Sequence, residues 1–307
     1  VGLIACGTDK SDNESTKEEK TSVTITSLDA SKNEIELEVP YNPKRIAILD
    51  LASLDIIDEL GVGDRVVGMA STSIDYLEKY SNDASIKNLG TIKEADLEAV
   101  MECEPDIIFI GGRLSKSYDA LSEIAPVVYL ATDTNEGLVN SVSKNAKTIA
   151  SIFGMEDKVD SLMSDFGARI DTIKKISSGK TALVGMTTSG SFNLLGNDGR
   201  CSLIGVEAGF NNLTAAGSTS THGNESSFET VVQQNPDYIF VMDRDSAIST
   251  AGAKTAKEIV ENELVKTTDA YKNNHIIYLE HSNVWYTAEG GIQALDIMLT
   301  DLEKGLK

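Results

Sequence analysis

Residues 97–113, LEAVMECEPDIIFIGGR, recur as residues 228–244, FETVVQQNPDYIFVMDR, at one constant offset of 131. Glu98/Glu229, Val100/Val231, Pro105/Pro236, Asp106/Asp237, Ile108/Ile239, Phe109/Phe240 and Arg113/Arg244 are identical. Chance gives about one identity in such a window, so the chain carries a duplicated structural unit. Two copies this far apart specify two similar lobes, not a solenoid of stacked repeats. Each copy runs from a short helical pattern, through a proline that breaks it, into an apolar strand, and closes on an arginine.

The 307 residues suffice for two lobes with separate cores. Residues 23–40 alternate apolar and polar side chains around a turn, as an edge hairpin does. Short apolar strands are predicted at 45–49, 66–69, 107–110 and 127–130, and again at 181–186, 192–196, 238–242 and 275–279. They alternate with helical patterns and lack polar alternation, which implies mainly parallel sheets covered on both faces. From 138 to 176 the pattern is helical almost throughout, divided by Gly154. Its second part places Val159, Leu162, Met163, Phe166, Ile170 and Ile173 near helical spacing over about 22 residues, or about 33 Å. The expected fold is therefore α/β. Two Rossmann-like lobes, each a mainly parallel sheet flanked by helices, are joined by one long rigid helix, with a ligand cleft between them. The expected segments are a tether over 1–22, an N-terminal lobe over 23–154, a connecting helix over 155–177 and a C-terminal lobe over 178–307.

A net charge of −21 disfavours nucleic acid as a partner, because phosphate binding needs basic surface. It equally disfavours an electrostatic membrane patch, and the acidity favours solubility. Against that background, six arginines among 27 basic residues make cationic clusters notable. Arg113 and Arg244 each follow a repeat strand, and Arg200 follows the turn GNDG. Ligands of open parallel sheets sit beyond the carboxyl ends of the strands. If the lobes face each other, these three arginines converge on one cleft, where guanidinium suits a planar anion.

Three histidines are available. His275 opens a strand and reads as structural. His281 follows a strand end. His222 lies in the polar loop GSTSTHGNESS, and Trp285 and Tyr286 lie in NVWYTAEGG, a predicted loop whose aromatics form a candidate ligand wall. Enzyme motifs are absent from the sequence: no GxSxG, no P-loop, no HExxH and no GxGxxG opening a helix. The histidines are too few, and wrongly spaced, for a three-histidine catalytic zinc site. Cys103 and Cys201 lack CxxC spacing and give no metal or redox motif; a bridge between them is left open.

Leu3-Ile4-Ala5-Cys6 resembles a bacterial lipobox, the junction where a secretory signal peptide is removed and the cysteine is lipidated. The Ser, Thr, Asp, Glu and Lys residues that follow cannot build a core and read as a flexible tether. The expectation is an extracytoplasmic chain held at the cell membrane by a lipid on Cys6, not a membrane-spanning one.

The lipobox, the two-lobe duplication, the long central helix and the repeated (L/F)E-x-V…PD-x-IF pattern resemble class III, or cluster A, substrate-binding proteins of bacterial ABC importers. The resemblance covers the chain from about residue 40 onward. Within that class, GGRLSKSYDAL, LGNDGRCSLIG, THGNESSFE, VMDRD and NVWYTAEGG are similar to the ferric-siderophore binders of the enterochelin/petrobactin group. The resemblance implies a receptor, not an enzyme, that carries Fe(III) as a catecholate complex and has no intrinsic cofactor. It implies that Arg113, Arg200 and Arg244 hold the anionic complex and that His222 and Tyr286 complete the iron coordination when the siderophore supplies too few donors. It further implies a permease dimer as partner, docked through Glu98 and Glu229, and a monomeric receptor. The alternatives left open are a same-fold receptor for haem or cobalamin and a secreted α/β enzyme.

Overall fold

The computed structural model describes residues 19–214, 224–225 and 228–307. Ser22–Leu28 (β1) and Glu34–Pro40 (β2) pair antiparallel, from Ser22–Pro40 to Leu28–Glu34, as the alternating pattern predicts. The Ser27 hydroxyl donates to the Tyr129 carbonyl and accepts the Tyr129 N–H, which ties the hairpin to the lobe behind it.

Ile46–Leu49 (β3), Val66–Met69 (β4), Lys87–Asn88 (β5), Ile107–Ile110 (β6) and Val127–Tyr129 (β7) form a five-stranded parallel sheet in the order β5-β4-β3-β6-β7. All residues of β3, β6 and β7 are buried, which explains their unbroken apolar runs. The strand order reverses between β3 and β6, and the carboxyl ends there open onto the cleft.

The second half repeats this plan with an antiparallel addition. Thr181–Thr188 (β8), Ser191–Leu194 (β9), Asn211–Asn212 (β10), Asn224–Glu225 (β11), Tyr238–Asp243 (β12) and Ile276–Tyr278 (β13) are ordered β11-β9-β8-β12-β13, with β10 beside β8. β8, β12 and β13 run parallel, and β9 turns back antiparallel on β8.

The sequence repeat has a structural cause. Its helices are Leu97–Glu102 and Phe228–Gln234, and its strands are β6 and β12. Val100, Ile108 and Phe109, with Val231, Ile239 and Phe240, are all buried. The two identical aspartates do the same task. Asp106 accepts the N–H groups of Lys44 and Arg45 at 2.9 Å, and Asp237 accepts the N–H of Thr181 at 2.9 Å. Each carboxylate therefore pins the start of the neighbouring central strand.

Two expectations need correction. The connecting segment over 155–177 is not one continuous helix: Val159–Leu162 and Phe166–Ser177 are helical, with a turn between them. Tighter backbone bonds occur there, Ser164 to Ser161 and Phe166 to Met163, and the Ser164 hydroxyl donates to the Ser161 carbonyl at 2.9 Å. Such local side-chain bonds compete with the α-helical ladder. Trp285 and Tyr286 do not lie in an open loop either. They sit on a helix, Ser282–Thr287, packed on the final helix Ile292–Gly305.

Cys103 and Cys201 are free, and both are buried. Among the described residues no helix is long and apolar enough to cross a membrane.

Candidate functional site

Tyr286 is the centre of the site. Its helix places the phenol where the carboxyl ends of β8 and β12 meet, and the side chain is only 4% exposed. Arg244 is the first residue after β12 and opens a short helix. Its Nε–H donates to the Tyr286 hydroxyl at 2.9 Å, and its Nη1 donates to the Thr188 hydroxyl at 3.1 Å. Thr188 ends β8, so Arg244 spans the two central strands of this sheet.

Arg200 lies over the same ring. Its guanidinium carbon is 4.2 Å from the ring centroid, and its Nε–H donates to the Tyr286 carbonyl at 3.1 Å. The next residue, Cys201, takes a left-handed backbone with φ 64°, which turns the chain into the helix Ser202–Gly205.

Arg113 comes from the other half, in the 3-10 turn Gly112–Ser117 just beyond β6. It is half-buried, and among the described residues it forms no hydrogen bond or ion pair. Its charge reaches both Arg200 and Tyr286. Arg244 and Arg200 thus contact Tyr286 directly, and the charge of Arg113 reaches it from the other half of the chain.

The electrostatics follow. Burial pushes the Tyr286 phenol up, but the Arg244 hydrogen bond and the charges of Arg200, Arg244 and Arg113 outweigh it, so the group lies below the ordinary tyrosine range. Burial is the first cause that pulls the Arg200 guanidinium down, and Arg113 adds to it. The acids flanking Arg244 do not neutralise it. Asp243 accepts the Ser246 N–H at 3.0 Å as a helix cap, and Asp245 accepts the Ser189 N–H at 2.9 Å. Like charges gathered in a cleft cost free energy unless an anion joins them.

The cleft beside Tyr286 has a volume of about 450 Å³. Leu51 and residues 71–73 and 91–93 form one wall, and residues 247–249 with Tyr286 and Thr287 form the other.

Other predicted residues separate clearly. Trp285 is 0% exposed and belongs to the core, and its Nε1–H donates to Asp301 at 2.9 Å, so it is not a ligand wall. His275 is structural, stacked on Tyr238 with its Nδ1 3.1 Å from the Asp237 carbonyl. Glu280, His281 and Asp301 lie close enough to hold a metal. Asp301 nevertheless uses both oxygens on Trp285 and His281. Glu98 and Glu229 are exposed in the first turns of the two repeat helices. Met101 and Leu97 beside Glu98 are apolar yet 54% and 38% exposed. Cys6 and His222 lie outside the described residues. The acidic groups Asp50 and Glu289 escape sequence reasoning, although Glu289 lies within NVWYTAEGG, because only the folded chain brings them to the lining of one pocket.

The comparisons agree with this architecture. The periplasmic binding protein family matches residues 46–282, more than half of the chain. The petrobactin-binding protein YclQ of Bacillus subtilis is 36% identical, over 100% of this chain and 95% of its own. Its crystal structure superposes with a TM-score of 0.85, covering 93% of this chain and 99% of that one. The periplasmic catecholate-siderophore binding protein VctP of Vibrio cholerae is 30% identical with a TM-score of 0.82, covering 92% and 100%. Two duplicated α/β halves with arginines gathered about Tyr286 beside a cleft, matched along nearly the whole chain, make this chain a member of the periplasmic binding protein family.

Proposed function

We propose that this chain is an extracytoplasmic receptor that captures a ferric catecholate siderophore of the petrobactin or enterobactin kind and delivers it to an ABC permease for iron uptake. The carrying observation is the convergence of Arg113, Arg200 and Arg244 on Tyr286. A tris-catecholate ferric complex bears about three negative charges, which three guanidinium groups offset with oriented N–H donors. Tyr286, held below the ordinary tyrosine range, is suited to bind Fe(III) as phenolate when a siderophore supplies fewer donors. His222 is the proposed second protein ligand. The binding characteristics in the names of YclQ and VctP support this assignment.

Delivery assigns two further roles. Glu98 and Glu229 occupy equivalent exposed helix positions and would enter basic pockets of a permease dimer. Lipidation of Cys6 would hold the receptor near that partner.

The test is to incubate the protein with ferric complexes of hexadentate and tetradentate catecholates, and with haem, and then desalt. Retention of the catecholate charge-transfer band is expected. Retention of haem alone would contradict the assignment.

A further inference from the structure

The cleft has an acidic compartment as well as a basic one. At the strand-order reversal of the first sheet lies a pocket of about 210 Å³. This is room for several waters at about 30 Å³ each. Ile56, Leu130 and Ile149 give it apolar walls. Among the described residues its charged lining groups are Asp50 from the first half and Glu289 from the second.

Each carboxylate has one oxygen held by the protein and one left over. Asp50 Oδ2 accepts the Ser53 N–H at 3.0 Å and the Ser53 hydroxyl at 2.6 Å. Its Oδ1 lies over Gly111, where an added Cβ would stand 2.7 Å away, and has no hydrogen-bond partner among the described residues. Glu289 Oε2 accepts the Cys201 N–H at 3.2 Å, and its Oε1 likewise has none. Burial pushes both carboxyls up, Glu289 to about 7, so neither is fully compensated by its surroundings.

The two compartments adjoin. Gly112 lines the acidic pocket and Arg113 follows it in the chain. Glu289 bonds to Cys201, the neighbour of Arg200. A ligand seated on the arginines therefore meets the acidic pocket at its edge. Carboxylates contributed by the two halves to one pocket, lined by Ile56, Leu130 and Ile149 together with Ser53, Thr132 and Asn145, match an alkylammonium: a short apolar stem ending in three N–H donors.

We propose, building on the receptor function, that Asp50 and Glu289 form a subsite for a protonated aliphatic amine carried by the siderophore. The physiological ligand would then join an anionic ferric catecholate to a cationic arm.

The experiment compares two ferric catecholate complexes that differ only in a pendant primary amine, free in one and N-acetylated in the other. Affinities are measured by fluorescence titration of the full chain. The wild type is expected to bind the free amine at least about tenfold tighter, the scale of one charge-assisted contact. Glu289→Gln and Asp50→Asn should each erase most of that preference while leaving the acetylated complex within about twofold. Asparagine retains the helix-capping role of Asp50. Equal affinity of the wild type for both complexes, or a preference that survives in both variants, would overturn the subsite. Binding of neither complex would instead overturn the receptor function itself.

Discussion

Asp55, on the first helix of the N-terminal half, accepts the backbone N–H of Ala294 at 3.0 Å, at the start of the last helix of the chain. Its other oxygen accepts the N–H of Gln293 at 2.9 Å. The arrangement is reciprocal: Glu207, from the second half, accepts the N–H of Val139 at 2.9 Å, in the helix Leu138–Ile152 of the first. Both capped helices begin at a glycine, Gly137 or Gly291, which offers no side-chain cap of its own. Each half therefore satisfies helix-end donors of the other. This coupling ties the two halves together by hydrogen bonds that do not pass through the interrupted connecting helix.

Gly291→Ala should disrupt this joint. An added Cβ would stand 2.0 Å from the Asp55 carboxylate oxygen, so helix or carboxylate must move. A loss of about 1–3 kcal/mol is expected from overpacking, measured by denaturant unfolding. Unchanged stability would show that the joint is pliable.

The same joint makes stability depend on pH. Burial raises the Asp55 carboxyl to about 7, against the opposing bonds from Ala294 and Gln293. The unfolded value is about 3.9, so between about pH 4 and pH 7 the folded chain binds more protons. Stability contributed by Asp55 is complete below that window and lost as pH rises through about 7. Glu289 acts in the same direction. Thermal melting across this range should show a falling midpoint, with a shallower fall in Asp55→Asn. An identical slope in that variant would contradict the assignment.

Trp285→Phe should cost stability without changing ligand recognition directly. The indole is fully buried, and its N–H serves the Asp301 carboxylate. Losing this hydrogen bond to a charged group costs about 1.5–3 kcal/mol, although the same oxygen keeps the His281 N–H. Siderophore affinity of the folded variant should stay within about threefold, which is under 1 kcal/mol. A much larger loss would return the tryptophan to the ligand wall.

The parts of this molecule legible in its sequence were those written by burial and repetition. β6 and β12 lie under unbroken apolar runs, and the matched arginines follow from the constant offset. The helix Ser282–Thr287 was not legible, because six residues are too few to reveal a helical period. The break after Leu162 was hidden because apolar spacing continues across it, while hydroxyl-to-carbonyl bonds leave no periodic trace. The Asp55 cap could not be seen at all: its partners are 238 and 239 residues away.

Tyr286 should titrate before Tyr80 and Tyr278. Burial raises its phenol, but Arg244 and the neighbouring arginines lower it further. Burial raises Tyr80 and Tyr278 instead. Ultraviolet difference titration should reveal an early phenolate signal in the wild type, absent in Tyr286→Phe and shifted to higher pH in Arg244→Ala. An early signal that persists in Tyr286→Phe would place it elsewhere.

The central claim is that the arginine cluster binds the ferric catecholate anion. Fluorescence-quenching titration of Arg113→Ala and Arg244→Ala with a ferric catecholate siderophore tests it most directly. Each variant should bind at least about tenfold more weakly than the wild type, a loss of about 1.4 kcal/mol or more. Wild-type affinity in both variants would contradict it.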